Sequence, residues 1–150
     1  EIYNGFEQAA SVAHTHSKYA TVFAQAGISI PCLGTTHADY FYGEIPCVPA
    51  PTHWQVEEGY ELYTGKGIVE YFSHNNVDPD QMCAALVRGH GVFCWGRTVE
   101  SALENALVLE FVAEMAYNTI LLGTDTRVPA YVLDKHYFRK NGGGKYYGQG

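Results

Sequence analysis

His14 and His16 stand one residue apart in the run Val12-Ala13-His14-Thr15-His16, and their type and spacing could do chemistry. The run is short and alternates as a strand does, so both imidazoles project from one face and can reach a single ion. His90 lies between Gly89 and Gly91, in a turn joining two apolar stretches at 84–87 and 92–95. From such a turn its ring can project beyond the edge of a sheet. Three neutral imidazoles that leave open coordination positions make a catalytic divalent site, most often zinc (Zn2+), with manganese or another divalent ion as the alternative. The same residues also read as three unrelated histidines, hydrogen-bonded or at the surface, because H-x-H alone is a weak motif.

The elements that must hold these residues follow from the flanking pattern. Ile2, Phe6, Ala9 and Ala10 share a helical face, predicting an opening helix that stops near Ser11. Ser17 is suited to cap a helix through Ala26, which Gly27 ends. Ile30-Pro31-Cys32-Leu33 predicts a short edge strand, since proline cannot donate to a ladder. Residues 35–51 are turn-rich and aromatic. Residues 57–74 predict one helix or two, with a break at Gly65 and Gly67. Thr98 caps a helix over 99–122 that carries more than one apolar face, so the sheet and a further layer or subunit should cover it. Gly123 ends that helix, and a last short one is expected over 134–140. Strands alternating with helices imply an α/β layered domain, without revealing strand order.

A length of 150 residues suits one domain, and 47% hydrophobic with 17% charged residues describes a globular chain. The formal charge of −7 argues against a general nucleic-acid or anionic-membrane surface. No run approaches the roughly 20 apolar residues of a membrane span, and nothing reads as a signal peptide. Cys32, Cys47, Cys83 and Cys94 form no C-x-x-C pair, which suits a reducing cytoplasm and argues against a cysteine-type zinc site. Charge is uneven: residues 1–133 hold fifteen acids and five bases, whereas 134–150 hold one acid and four bases. The chain opens without an initiator Met and inside a helical pattern, so a fragment truncated at its N-terminus is expected.

Several blocks together carry a resemblance. They are His14-Thr-His16-Ser, Gly34-Thr-Thr-His-Ala-Asp-Tyr-Phe-Tyr-Gly43, Gly89-His90-Gly91, Asp134-Lys-His-Tyr-Phe-Arg-Lys140 and Tyr146-Tyr-Gly-Gln149. In order and from first residue to last, they resemble the C-terminal two-thirds of the L-ribulose-5-phosphate 4-epimerases, a branch of the class II aldolase/epimerase superfamily. H-x-H and H-G mark the superfamily; T-T-H-A-D-Y-F-Y-G and Y-Y-G-Q point to the epimerase branch. The resemblance implies a three-layer α/β/α fold around a mainly antiparallel central sheet, as one domain over 1–150. It implies a cytoplasmic homotetramer of arabinose catabolism with sites shared between subunits. It also implies zinc on His14, His16 and His90, an acid/base pair of Asp39 and Tyr147 from neighbouring subunits, and substrate contacts from His136 and Arg139. Two local departures are the sequence His90-Gly91-Val92-Phe93, where the family commonly has H-G-P-F, and the stretch 48–55.

The implied substrate is a phosphorylated ketopentose, and its C4 proton is not acidic. Inversion at C4 therefore calls for removal of the C4 hydroxyl proton, retro-aldol cleavage of C3–C4, rotation of the aldehyde and re-addition to its other face. A Lewis-acidic ion stabilises the enediolate, and each face of the aldehyde needs its own proton donor or acceptor. Two other functions share these residues: a class II sugar-phosphate aldolase, and a noncatalytic metal-binding oligomerisation module. Without the phosphate-binding loops that the family carries upstream, the chain is expected to keep metal affinity, associate readily and turn over little substrate.

Overall fold

The computed structural model describes residues 1–142. Its elements run α1 (Ile2–Gly5), β1 (Ser11–Thr15), α2 (Lys18–Ala26), α3 (Thr35–Ala38), β2 (Cys47–Val48), α4 (His53–His74), β3 (Ala84–Val87), β4 (Gly91–Gly96), α5 (Val99–Leu121) and α6 (Ala130–Asn141). The strands form one sheet in the order β1-β4-β3-β2. β4 pairs antiparallel with both β1 and β3, while β2 joins β3 in parallel. The sheet is thus mainly antiparallel, as expected. All four strands are short, and β3 is buried along its whole length, which explains its unbroken run Ala-Ala-Leu-Val.

Alternation along β4 assigns the two helix layers. Trp95 packs on Phe6 and Phe72, with ring centroids 4.8 and 5.3 Å away, placing it on the α1–α4 side. Val92, Cys94 and Gly96 then face α2 and α5. Gly96 is required there, because a Cβ would lie 2.2 Å from Ser101 Oγ at the start of α5. Thr98 caps α5 as its sequence predicts, closing a reciprocal box with Ser101. Ala102, Ala106, Leu109, Val112, Ala113 and Ala116 are the buried face of α5. Its second apolar row, Leu103, Leu107, Phe111 and Met115, is exposed. No helix among the described residues is long and apolar enough to cross a membrane.

Several boundaries differ from the sequence reading. The opening helix is a single turn, since Phe6 is already extended at φ −121°. Residues 30–33 supply one bridge, Ile30 to Ile45, while the edge strand is Cys47–Val48. α6 begins at Ala130, four residues before Asp134. In α4 the backbone breaks at Gly59, not at Gly65 or Gly67. Gly65 serves close packing instead: a Cβ there would sit 2.9 Å from Glu1 Cβ. Gly65 therefore marks the close approach of another segment, and Gly59 marks the break.

His37 is the one buried histidine among the described residues, on α3, and its Nε2–H donates to the Gly43 carbonyl at 2.7 Å. Burial pushes its pKa from 6.5 down to about 4, against a smaller upward pull from that hydrogen bond. Above pH 6.5 the imidazole is neutral in folded and unfolded chains alike. Below it the unfolded chain takes up a proton that folded His37 refuses, so stability falls with pH until about 4. At ~1.4 kcal/mol per pH unit, the full loss is on the order of 3 kcal/mol. Urea unfolding at steps from pH 7 to pH 4 should show this decline, and His37→Gln should flatten it by one proton's worth. Equal slopes in the two proteins would refute the account.

Candidate functional site

The register of β1 against β4 sets the first half of the site. His14 lies directly opposite Phe93, and their rings stack at 4.2 Å with an interplanar angle of 16°. His14 Nδ1–H donates to the Val92 carbonyl at 2.8 Å, which leaves Nε2 as the free ligand atom. His16, two residues on, points the same way, and its Nε2 lies 3.2 Å from that of His14. His90 enters from the β3–β4 turn, where Gly89 takes φ +70° and the His90 N–H bonds the Val87 carbonyl. Its Nδ1 meets the Tyr60 hydroxyl at 3.1 Å. The helix break at Gly59 immediately precedes Tyr60.

The ligand atoms of His14, His16 and His90 all lie within 4.8 Å of one another. Two nitrogens on one zinc can be no more than about 4.2 Å apart, given bonds near 2.1 Å, so a small ring rotation closes the widest pair. Imidazole nitrogens suit zinc better than manganese, which prefers oxygen ligands. Burial, then the neighbouring His14 and His16, lower the pKa of His90 and so favour the neutral form that ligates. His14 and His16 are exposed and His90 half-buried, beside a cavity of about 250 Å³ lined also by Tyr60, Glu61, Thr64 and Phe93. The arrangement fits a divalent ion with open positions toward solvent.

A second group gathers around Asp39, at the C-terminal end of α3. His136 Nδ1–H donates to its Oδ1 at 3.0 Å, and the Arg139 guanidinium reaches both carboxylate oxygens at 3.3 and 3.5 Å. Asn141 Nδ2–H donates to the Asp39 carbonyl at 2.9 Å. The Asp39, His136 and Arg139 side chains are each about one-fifth exposed. His136 and Arg139, expected to touch substrate, both contact the Asp39 carboxylate. Tyr147, the expected partner of Asp39, lies outside the described residues.

Sequence reasoning missed Phe93, Tyr60, Asn141 and the steric role of Gly91. Phe93 follows only from register, and Tyr60 only from a helix break placed elsewhere. Asn141 could have been found from its place one turn beyond Tyr137 on a helix facing Asp39, had the helix been extended. Gly91 carries a plain signal in the G-H-G turn.

Comparison with known proteins now bears on this geometry. The family described as the Class II Aldolase and Adducin N-terminal domain matches residues 1–117. The chain belongs to the class II aldolase and adducin family. Among solved structures, L-fuculose 1-phosphate aldolase superposes with a TM-score of 0.69 at 17% identity, over 90% of this chain and 57% of that one. YgbL from Escherichia coli gives 0.58 at 20% identity, over 89% of this chain and 60% of its own. YgbL from Klebsiella pneumoniae gives 0.61 at 19%, with the same coverage of 89% and 60%. The chain therefore spans less than two-thirds of the length of these structures, and the likeness is one of fold. The class II aldolase fold agrees with the three-layer architecture anticipated from sequence.

Gly91 offers a direct test of the histidine cluster. A Cβ there would lie 2.7 Å from the Thr15 carbonyl oxygen and 2.8 Å from His16 Cδ2. Gly91→Ala should displace His16 and weaken zinc binding by about tenfold or more, the scale seen when groups orienting a ligand are disturbed. Competition against a chromophoric chelator measures it. Wild-type affinity in the variant would show that His16 is not held by this contact.

Proposed function

We propose that this protein is an isomerase, a zinc-dependent sugar-phosphate epimerase that inverts C4 of L-ribulose 5-phosphate to give D-xylulose 5-phosphate. The observation that carries the reading is the meeting of Asp39 with His136 and Arg139, which are 97 and 100 residues away in sequence. Asp39 comes from the T-T-H-A-D block and the other two from the D-K-H-Y-F-R-K block, so the two segments that resemble the epimerase branch converge on one carboxylate.

His14, His16 and His90 would hold the ion, with His14 fixed in its tautomer by Val92 and His90 steadied by Tyr60. A divalent ion at that place supplies Lewis acidity for the negative charge that develops on the ketose oxygens. Asp39 takes the proton of the C4 hydroxyl as C3–C4 cleaves, and His136 and Arg139 aim its carboxylate. Tyr147, from a neighbouring subunit, supplies the matching donor on the opposite face of the glycolaldehyde phosphate. The division of labour asks each group to move one proton, a task worth typically 10²–10⁴-fold in rate.

The proposed assembly is a cytoplasmic homotetramer of one domain over 1–150, serving arabinose catabolism. The exposed row Leu103, Leu107, Phe111 and Met115 supports a covered face on α5. Sites shared between subunits would account for Asp39 standing in a group of its own, apart from the three imidazoles.

A full-length, zinc-loaded version of the protein, given L-ribulose 5-phosphate, should form D-xylulose 5-phosphate. Asp39→Asn should lower turnover by ~10²–10⁴-fold while bound zinc stays the same. Accumulation of dihydroxyacetone and glycolaldehyde phosphate without the epimer would make the protein an aldolase. Zinc binding with neither product would leave a noncatalytic metal module.

A further inference from the structure

Helix α2 begins without a local cap. Ser17 occupies the capping position, yet its side chain makes no cap hydrogen bond, and its Oγ is buried without a partner. The first N–H groups of a helix have no partner within it and need one from elsewhere. Here Glu110, near the middle of α5, provides it. Its Oε1 accepts from the Tyr19 N–H at 2.9 Å and its Oε2 from the Ala20 N–H at 3.0 Å. A carboxylate at a helix N-terminus also complements the helix dipole.

The clamp lies three residues after His16. The β1–β4 ladder ends with Thr15 paired to Val92, so His16 occupies the joint between a strand held by the sheet and a helix held by Glu110. The His16 ring is exposed, and its near neighbours are the rings of the other two candidate ligands, His14 and His90, with centroids 5.0 and 5.1 Å away. Little beyond its backbone therefore determines where its Nε2 points. A serine cap would fix only the first turn of α2 upon itself. A carboxylate from α5 fixes where that turn sits relative to the sheet, because α5 packs against β4 and β1.

We propose that Glu110 is a positioning residue of the metal centre, one that sets the location of His16 by clamping the first turn of α2 to α5. The inference rests on the reading that the three histidines hold a divalent ion. Loss of the clamp lets the α2 start drift, and the third nitrogen leaves the common coordination sphere while His14 and His90 keep their own supports.

Zinc affinity of the purified chain, by chelator competition, is the main readout. Glu110→Ala should bind zinc about tenfold more weakly, at the lower end of what outer partners of metal ligands contribute. Glu110→Gln, which keeps one acceptor oxygen, should fall between that variant and wild type, and it carries the comparison if the alanine variant fails to fold. Thr98→Ala, which removes the α5 cap, is the stability control and should lower the unfolding midpoint with zinc affinity unchanged. In zinc-free protein the amides of Tyr19 and Ala20 should exchange faster in Glu110→Ala than in wild type. Undiminished zinc affinity in Glu110→Ala, or an equal loss in Thr98→Ala, would overturn the inference while leaving the metal centre intact. A wild-type chain that binds no zinc would overturn the metal reading and this inference together.

Discussion

The pairing of β1 with β4 in a single register is the constraint on which the site depends. With His14 opposite Phe93, the imidazole stacks on an aromatic ring and its Nδ1 reaches the Val92 carbonyl. A slip of one residue would turn both His14 and His16 toward α2 and α5, since strand side chains alternate with a period of two. It would also bring Gly91 and Gly96 out of their places, where a side chain would collide with Thr15 or Ser101. Gly91, which leaves room for the Thr15 carbonyl of β1, therefore ties the register sterically, while Gly96 admits the start of α5 and Trp95, packed on Phe6 and Phe72, holds β4 against the opposite helix layer.

Much of the framework was legible because local chemistry agreed with it. Gly27 ends α2 in the left-handed conformation at φ 69°. Thr98 marks the start of α5, and the G-H-G turn between apolar runs marks the β3–β4 hairpin. What stayed hidden involved distant partners. Residues 47 and 48 become a strand only because β3 offers a parallel edge, with Leu86 N–H and Arg88 N–H bonding the Pro46 and Val48 carbonyls. Ser17 looked like a cap from its type and position, yet the cap comes from Glu110 in another helix. Gly65 looked like a breaker, and its missing side chain is instead space for Glu1.

The candidate site shows the same division. H-x-H on a strand was readable from alternation, and the addition of His90 needed only a turn at the neighbouring strand's start. The Asp39 group was not readable from pattern at all: an aspartate in a turn-rich stretch more commonly satisfies nearby backbone N–H groups. Its significance rests on α6 crossing α3, which brings His136, Arg139 and Asn141 to one residue from the far end of the chain. Tyr42 adds to that docking through its hydroxyl bond to Asp134 and its ring contacts with Tyr137 and Phe138. The aromatic block Tyr40-Phe-Tyr42 thus works as the seat for α6, and the acid/base candidate sits at its edge.

This layout separates what keeps the chain folded from what could do chemistry. The large buried side chains, Trp95, Phe41, Phe72, Ile68 and Leu109 among them, contribute none of the expected ligands or proton carriers. The histidines stand at the open end of the sheet, partly in water. Core and site meet at only a few places, where one residue serves both: Gly91 beneath His16, Phe93 against His14, and Glu110 behind the start of α2. Those shared positions decide how far the site is preorganised, because a ligand on an exposed strand end has no packing of its own to hold it. Rigidity at the centre is therefore borrowed from its surroundings: His14 through the Phe93 stack and the Val92 carbonyl, His90 through Tyr60, and His16 through the backbone on either side of it.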